Sequence, residues 1–134
     1  MEEYLEEIGN YMSSPVISID SELTVQEAAQ QMHAKNVGAF LVRKGEEHVG
    51  IITETDLTLK VVALGLDHET TSVSSVMTRP FLSMDRFIPV KEAEEFMKKN
   101  KVRHLAVTEE DEVVGMLSVK DLVTCYSKAF KMTE

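Results

Sequence analysis

Apolar and polar positions follow one order of elements along the chain, and they follow it twice. In the first pass, Pro15 to Ile19 reads as a short strand that starts on a proline, where no ladder donor is lost. Thr24 then opens a helix, because Glu27 three residues on completes a capping-box pattern. Val25, Ala28, Ala29 and Met32 fall at i, i+3, i+4 and i+7 and form one apolar stripe. Phe40 to Val42 and His48 to Ile52 are apolar strands on either side of Lys44-Gly45-Glu46, a hairpin signal. A second helix is expected from about Glu54 to Leu64. The longest apolar runs, such as Gly38 to Val42 and Lys60 to Leu66, fall far short of the roughly 18–20 residues that span a bilayer.

The second pass repeats the first at an offset of about 65 residues. YMSSPVISIDSELTVQEAAQQM aligns with VMTRPFLSMDRFIPVKEAEEFM, and VGAFLVRKGEEHVGIITETDL with VRHLAVTEEDEVVGMLSVKDL. The identities keep Pro15/Pro80, Asp20/Asp85, Glu27/Glu92, Gly50/Gly115 and Asp56/Asp121 in register. About 15 of about 50 paired positions agree, which similar helix composition alone would not produce. Pro89 suits the first turn of the second copy of the helix. The predicted fold is therefore α/β (α+β): two β-α-β-β-α repeats whose small mixed sheets pack about a pseudo-twofold axis. A unit of about 55 residues is marginal alone, so the two would bury their apolar faces together. The expected divisions are an N-terminal helix over 1–10, repeat 1 over 11–64, a polar linker over 65–75, and repeat 2 over 76–134, forming one module.

Composition narrows the function. The 134 residues carry 23 acids against 14 bases, a net charge of −9. Such a surface repels nucleic-acid phosphates and anionic lipids unless a local basic patch reverses the field. Only Lys35, Arg43, Lys44 and Lys60 precede residue 66, so an anion site should draw on the second half. The acidic start, MEEYLEEIGN, is unlike a signal peptide, and Cys125 has no partner for an internal disulfide. Both point to a reducing, cytoplasmic setting. His33, His48, His68 and His104 show no zinc spacing. Cys125 reads as a small buried hydrophobe rather than a nucleophile, and the eight methionines as core filling.

The informative segments are the strand-to-helix junctions GIITETDL and GMLSVKDL. Each runs Gly, two apolar residues, Thr or Ser, two variable residues, Asp, Leu. Two readings share this pattern. Thr53 and Ser118 can be helix N-caps, with Asp56 and Asp121 completing capping boxes. Alternatively, the exposed N–H groups, the hydroxyl and the carboxylate form a binding edge, where an acid can take both hydrogen bonds from a cis-diol such as ribose.

The duplicated unit resembles the CBS domain, named for cystathionine beta-synthase, and residues 11 to 128 resemble one CBS pair, or Bateman module. The resemblance implies two clefts between the repeats that take adenosine-containing ligands: AMP, ADP, ATP, S-adenosylmethionine or a nicotinamide dinucleotide. It implies that the motif Asp holds the ribose hydroxyls and the Thr or Ser lies by the ribose and phosphate. One cleft would then hold Ile51, Thr53, Thr55 and Asp56, completed from the other repeat by Phe81, Leu82, Val102, Arg103 and His104. The second would hold Met116, Ser118, Lys120 and Asp121, completed by Val16, Ile17, Val37, Gly38 and Ala39. Arg103 and cationic His104 can meet phosphate, whereas Gly38 and Ala39 cannot, so a multiphosphate ligand should favour the Asp56 cleft.

These features give a regulatory sensor with no required cofactor, no metal and no catalytic constellation. Its ligand would be an adenine nucleotide or another adenosyl compound. Leu57, Leu59, Val61, Val62 and Leu64 crowd one helix, and Leu122, Val123 and Tyr126 its counterpart, which leads to an expected C2 homodimer. The acidic N-terminal helix, with Tyr4, Leu5 and Ile8 on one side, should pack on the module or on a second copy. Two rivals remain: a structural dimerisation module whose clefts stay empty, and a small enzyme built on His104 and Asp56.

Overall fold

A computed structural model describes residues 6–132, and within it each repeat folds around its own core. Repeat 1 contributes β1 (Ser18–Asp20), α1 (Val25–Lys35), β2 (Ala39–Lys44) and β3 (Glu47–Thr53). Next comes α2, a single α-turn over Glu54–Asp56 that runs on as π-helix over Leu57–Val62, and then α3 (Val73–Val76). Repeat 2 contributes β4 (Ser83–Asp85), α4 (Val90–Asn100), β5 (His104–Glu109), β6 (Glu112–Ser118) and α5 (Val119–Met132).

The two sheets have the same topology, β1-β2-β3 and β4-β5-β6, each with one parallel and one antiparallel pairing. A register shift recurs at Val42/Arg43 and at Val107/Thr108. The hairpins turn through left-handed backbone, at Gly45 in the first and at Glu110 and Asp111 in the second. β2 runs Ala39, Phe40, Leu41 and Val42 without one exposed side chain, the continuous apolar run of a strand covered on both faces.

Local signals behave as their chemistry requires. Thr24 caps α1 and exchanges hydrogen bonds with Glu27 in a full capping box. Val25, Ala28 and Met32 from the apolar stripe are buried against Phe40, Val42 and Ile52, whereas Ala29 is exposed. Pro89 stands one position earlier than expected, as the N-cap of α4 rather than inside its first turn.

Three expectations are corrected. The strand expected from Pro15 begins only at Ser18. The helix expected to Leu64 ends at Val62 and is π-helical over its last six residues, with Ala63 N–H donating to the Thr58 carbonyl. The N-terminal helix is absent from the described part of 1–10, where Glu7 is extended and Ile8–Asn10 form one 3-10 turn. Tyr4 and Leu5 lie outside the described residues.

The compact units are also cut differently from the sequence repeats: among the described residues one is 17–81, and the other joins 6–16 to 82–132. Ile8, fully buried, belongs to the core of repeat 2 with Val90, Leu105 and Leu117. The Gly65 to Ser75 segment is not a bare spacer, because Val73 at its end enters the repeat 1 core. In each unit a leading or trailing segment covers the edge of the last strand. Thr78 and Ile51 exchange two backbone hydrogen bonds, 2.8 and 3.0 Å, and Ser13 and Met116 do the same at 2.8 and 3.0 Å. Such pairing hides an edge that would otherwise present unpaired donors and acceptors.

This edge pairing explains why glycine recurs at 50 and 115. A Cβ on Gly50 would lie 2.8 Å from Met77 Sδ and 2.9 Å from the Thr78 carbonyl oxygen. On Gly115 it would lie 2.5 Å from Met12 Sδ and 2.8 Å from the Ser13 carbonyl oxygen. Methionine can yield; the backbone oxygen cannot without losing the edge bonds. Gly115→Ala should therefore destabilise the protein by about 1–3 kcal/mol, the usual cost of overpacking, as measured by urea denaturation.

In the same unit, α5 is tied to α4 by Tyr126, whose hydroxyl donates to Glu94 Oε1 at 2.8 Å. That bond, helped by Lys91 against the opposing effect of burial, holds the Glu94 carboxyl below the usual carboxylate range. A depressed folded-state pKa adds stability above the unfolded value, about 4.3, and loses it as pH falls through the folded one. Tyr126→Phe should cost about 1 kcal/mol at pH 7. The difference from the parent should vanish in melts taken well below pH 4.

Candidate functional site

Each β-to-α junction is built by the same exchange. The first N–H groups of a helix lack intrahelical acceptors, so the chain must supply them locally. At the end of β3, Thr53 is extended and caps α2: its Oγ1 accepts from Asp56 N–H at 3.2 Å, and Asp56 Oδ2 accepts from Thr53 N–H at 3.0 Å. At the end of β6, Ser118 Oγ accepts from Asp121 N–H at 3.4 Å, and Asp121 Oδ2 accepts from Ser118 N–H at 2.8 Å. In both copies the hydroxyl also donates to Oδ2, at 3.2 Å. The capping reading of the motif is thus seen directly. Because one carboxylate oxygen suffices for it, capping leaves the other oxygen of each acid to other partners.

The expected site residues fall into two sets. Ile17, Gly38, Ala39, Ile51, Thr53, Thr55, Asp56 and Phe81 lie in one unit; Val16, Leu82, Val102, Arg103, His104, Met116, Ser118, Lys120 and Asp121 lie in the other. Within the first unit, Ala39 pairs with Thr53, and the Gly38 carbonyl accepts from Glu54 N–H at 3.0 Å. Thr55 is exposed, Ile51 is buried, and Asp56 is buried with 5 % of its surface accessible.

Within the second unit, His104 pairs with Ser118, and the Arg103 carbonyl accepts from Val119 N–H at 3.1 Å. The β5 register thus brings Arg103 and His104 to the start of α5, beside Ser118, Lys120 and Asp121. From sequence, the two bases were expected to serve Asp56. Arg103 and Lys120 are exposed, and neither side chain has an ion-pair partner among the described residues. That hairpin-register neighbour was readable beforehand: the residues just before β5 must lie opposite those that end β6.

Sequence reasoning missed Lys60 and Thr78. The Lys60 ammonium lies 2.9 Å from Asp56 Oδ1 and donates to the Val76 carbonyl at 3.0 Å. Thr78 Oγ1 donates to the same Oδ1 at 2.9 Å. The i, i+4 spacing of Asp56 and Lys60 was the available signal. Asp121 has no such neighbours, and its Oδ1 accepts no hydrogen bond among the described residues. Cys125 stands where the repeat places Lys60. It is buried in the core, as expected; burial pushes its thiol pKa up, only partly offset by a hydrogen bond with Tyr11. Among the described residues no group of three or more His, Cys, Asp or Glu is arranged to hold a metal. No helix among them is long and apolar enough to cross a membrane.

A family model for the CBS domain matches residues 6–63 and 73–128. The chain belongs to the CBS-domain family. It is 31% identical over 111 residues to the CBS domain-containing protein YhcV of Bacillus subtilis, an alignment covering 83% of this chain and 79% of that one. It is 34% identical over 105 residues to the mitochondrial protein CBSX3 of Arabidopsis thaliana, covering 75% of this chain but only 51% of that longer one. Among solved structures, an uncharacterised conserved protein from Pyrococcus horikoshii superposes with a TM-score of 0.87 at 26% identity, covering 92% of this chain and 93% of that one. A hexameric CBS-CP12 protein from bloom-forming cyanobacteria superposes with a TM-score of 0.82 at 26% identity, covering 89% and 71%. CBS tandems are generally regulatory, and many bind adenosyl ligands.

The caps themselves can be tested without a ligand. Ser118→Ala removes the acceptor for Asp121 N–H and should cost about 0.5–2 kcal/mol, the usual range for an N-cap. Ser118→Asp, which restores an acceptor, should recover most of that loss in thermal melts.

Proposed function

We propose that this chain is a regulatory CBS-pair protein that senses an adenosine-containing ligand, binding it without catalysing a reaction on it. What supports this most is the start of α5. There a carboxylate with one oxygen uncommitted among the described residues, a hydroxyl and two exposed bases belong to one local frame. A carboxylate suits a ribose diol, and Arg103 with Lys120 suits phosphate, Arg in particular by its planar fork. AMP, ADP, ATP, S-adenosylmethionine and a nicotinamide dinucleotide are the ligand classes to try. Ligand binding would act by favouring one conformation of the pair, and so bias a partner that reads it.

A thermal-shift panel of these compounds tests the reading, with calorimetric titration of the best. Arg103→Ala should weaken AMP by about 10-fold or more, the worth of a charged hydrogen bond. Adenosine, which has no phosphate, should lose less than threefold. Equal losses for both would make Arg103 structural.

A second reading, a dimerisation module, draws on exposed apolar side chains: Leu59 at 60%, Val62 at 75% and Leu64 at 68% accessible on and just after the π-helix, with Val123 at 60% on α5. We propose a C2 homodimer that covers them. Light scattering should give a particle of about twice 15.1 kDa at micromolar concentrations, and Val62→Glu should return it to the monomer.

A further inference from the structure

The two motif acids have parted company in their surroundings, although their caps are the same. Asp56 has both oxygens engaged. Oδ2 serves the cap, and Oδ1 takes the Lys60 ammonium at 2.9 Å and the Thr78 hydroxyl at 2.9 Å, in a side chain that is 6% exposed. Lys60 is itself anchored, since the Val76 carbonyl accepts from it at 3.0 Å and Thr78 Oγ1 lies 3.3 Å away. A buried carboxylate must be paired, and this pairing is complete. At the offset of 65 residues, Lys60 corresponds to Cys125 and Thr78 to Ser13. Neither donates a side-chain hydrogen bond to Asp121 among the described residues.

We infer that Lys60 is a built-in occupant of the first motif. Its ammonium, with the Thr78 hydroxyl, takes the place at Asp56 that a ligand's hydroxyls would need, so each chain binds one adenosyl ligand, at Asp121, and uses Asp56 to fasten the residues after α3 to the start of α2. This rests on the adenosyl reading above for its ligand, but the pairing itself does not depend on that reading. A diol arriving at Asp56 would have to displace an ammonium held by a carboxylate and a carbonyl, and would leave that charge without its partner. At Asp121 no described side chain donates to Oδ1, so a diol there has none of them to displace. Lys60 thereby sets the stoichiometry of the pair.

Two measurements test this. The first is calorimetric titration of AMP into the wild type, Asp56→Asn, Asp121→Asn and Lys60→Cys, the last copying the residue of the other repeat. The wild type should bind one AMP per chain. Asp121→Asn should weaken it at least 10-fold, Asp56→Asn should change it less than twofold while lowering Tm, and Lys60→Cys should raise the stoichiometry toward two. Two equal sites in the wild type, or matching losses in the two Asn variants, would overturn the proposal while leaving the adenosyl reading intact. The second is a ligand-free thermal double-mutant cycle of Asp56→Asn and Lys60→Met, which does not require Lys60→Cys to fold. The double variant should melt no lower than the worse single one, whereas additive losses would overturn the pairing whatever AMP does. If the cycle shows coupling and no adenosyl compound binds the wild type, the sensor reading fails and the Lys60–Asp56 pairing stands.

Discussion

A helix that follows directly on a buried strand must find acceptors for N–H groups that have left the ladder and have not yet entered the helix. In this chain a hydroxyl and a carboxylate three residues apart meet that need twice, at Thr53/Asp56 and at Ser118/Asp121. The exchange draws the carboxylate back over the helix start and uses only one of its oxygens. Fold and candidate site are therefore the same few atoms. The fate of the second oxygen decides whether a junction is a binding edge or a piece of internal architecture.

The remainder of each unit keeps that junction in place. Three strands and a few short helices make a small core, and the last strand would be an open edge. Residues 77–78 close that edge in one unit and residues 12–13 in the other, and the glycines at 50 and 115 let them approach. The same approach delivers Thr78 to Asp56. In the other unit the matching segment delivers Ser13, whose backbone pairs with Met116. A feature needed for edge protection thus also determines what surrounds the acid.

Much of this was legible in the residues. The capping boxes, the hairpin turns and the stripe of Val25, Ala28 and Met32 follow from spacing alone, and the repeat puts Gly50 in register with Gly115 and Asp56 with Asp121. What was not legible depends on tertiary choices. Nothing in LTLKVV marks a π-helix, since Leu, Lys and Val suit an α-helix well enough. The unit boundaries escaped because Ile8 finds its core in repeat 2, far along the chain, and sequence proximity assigned it elsewhere. Glu7 carries good helix propensity but is extended where it bridges Pro89, a case of tertiary pairing overriding local preference. The resemblance assigns Arg103 to the Asp56 cleft of the other repeat; within its own unit, strand register sets it beside Ser118 and Val119, a neighbour that the position-by-position repeat does not point out.

Duplication gives two copies of a site that begin alike, and divergence at a single i+4 position can then separate them. Lys60 brings a positive charge to a junction in the half of the chain that has few bases, and it is spent on Asp56. Cys125 brings an apolar side chain to the matching place, which deepens the core and leaves Asp121 without a cation partner among the described residues. Two bases of the second half, Arg103 and Lys120, stand at the start of α5 without a carboxylate partner of their own among the described residues. An anionic ligand that also offers hydroxyls would satisfy both at once. In a chain of net charge −9, it is the charge arrangement at the start of α5, rather than the net charge, that makes such binding physically reasonable.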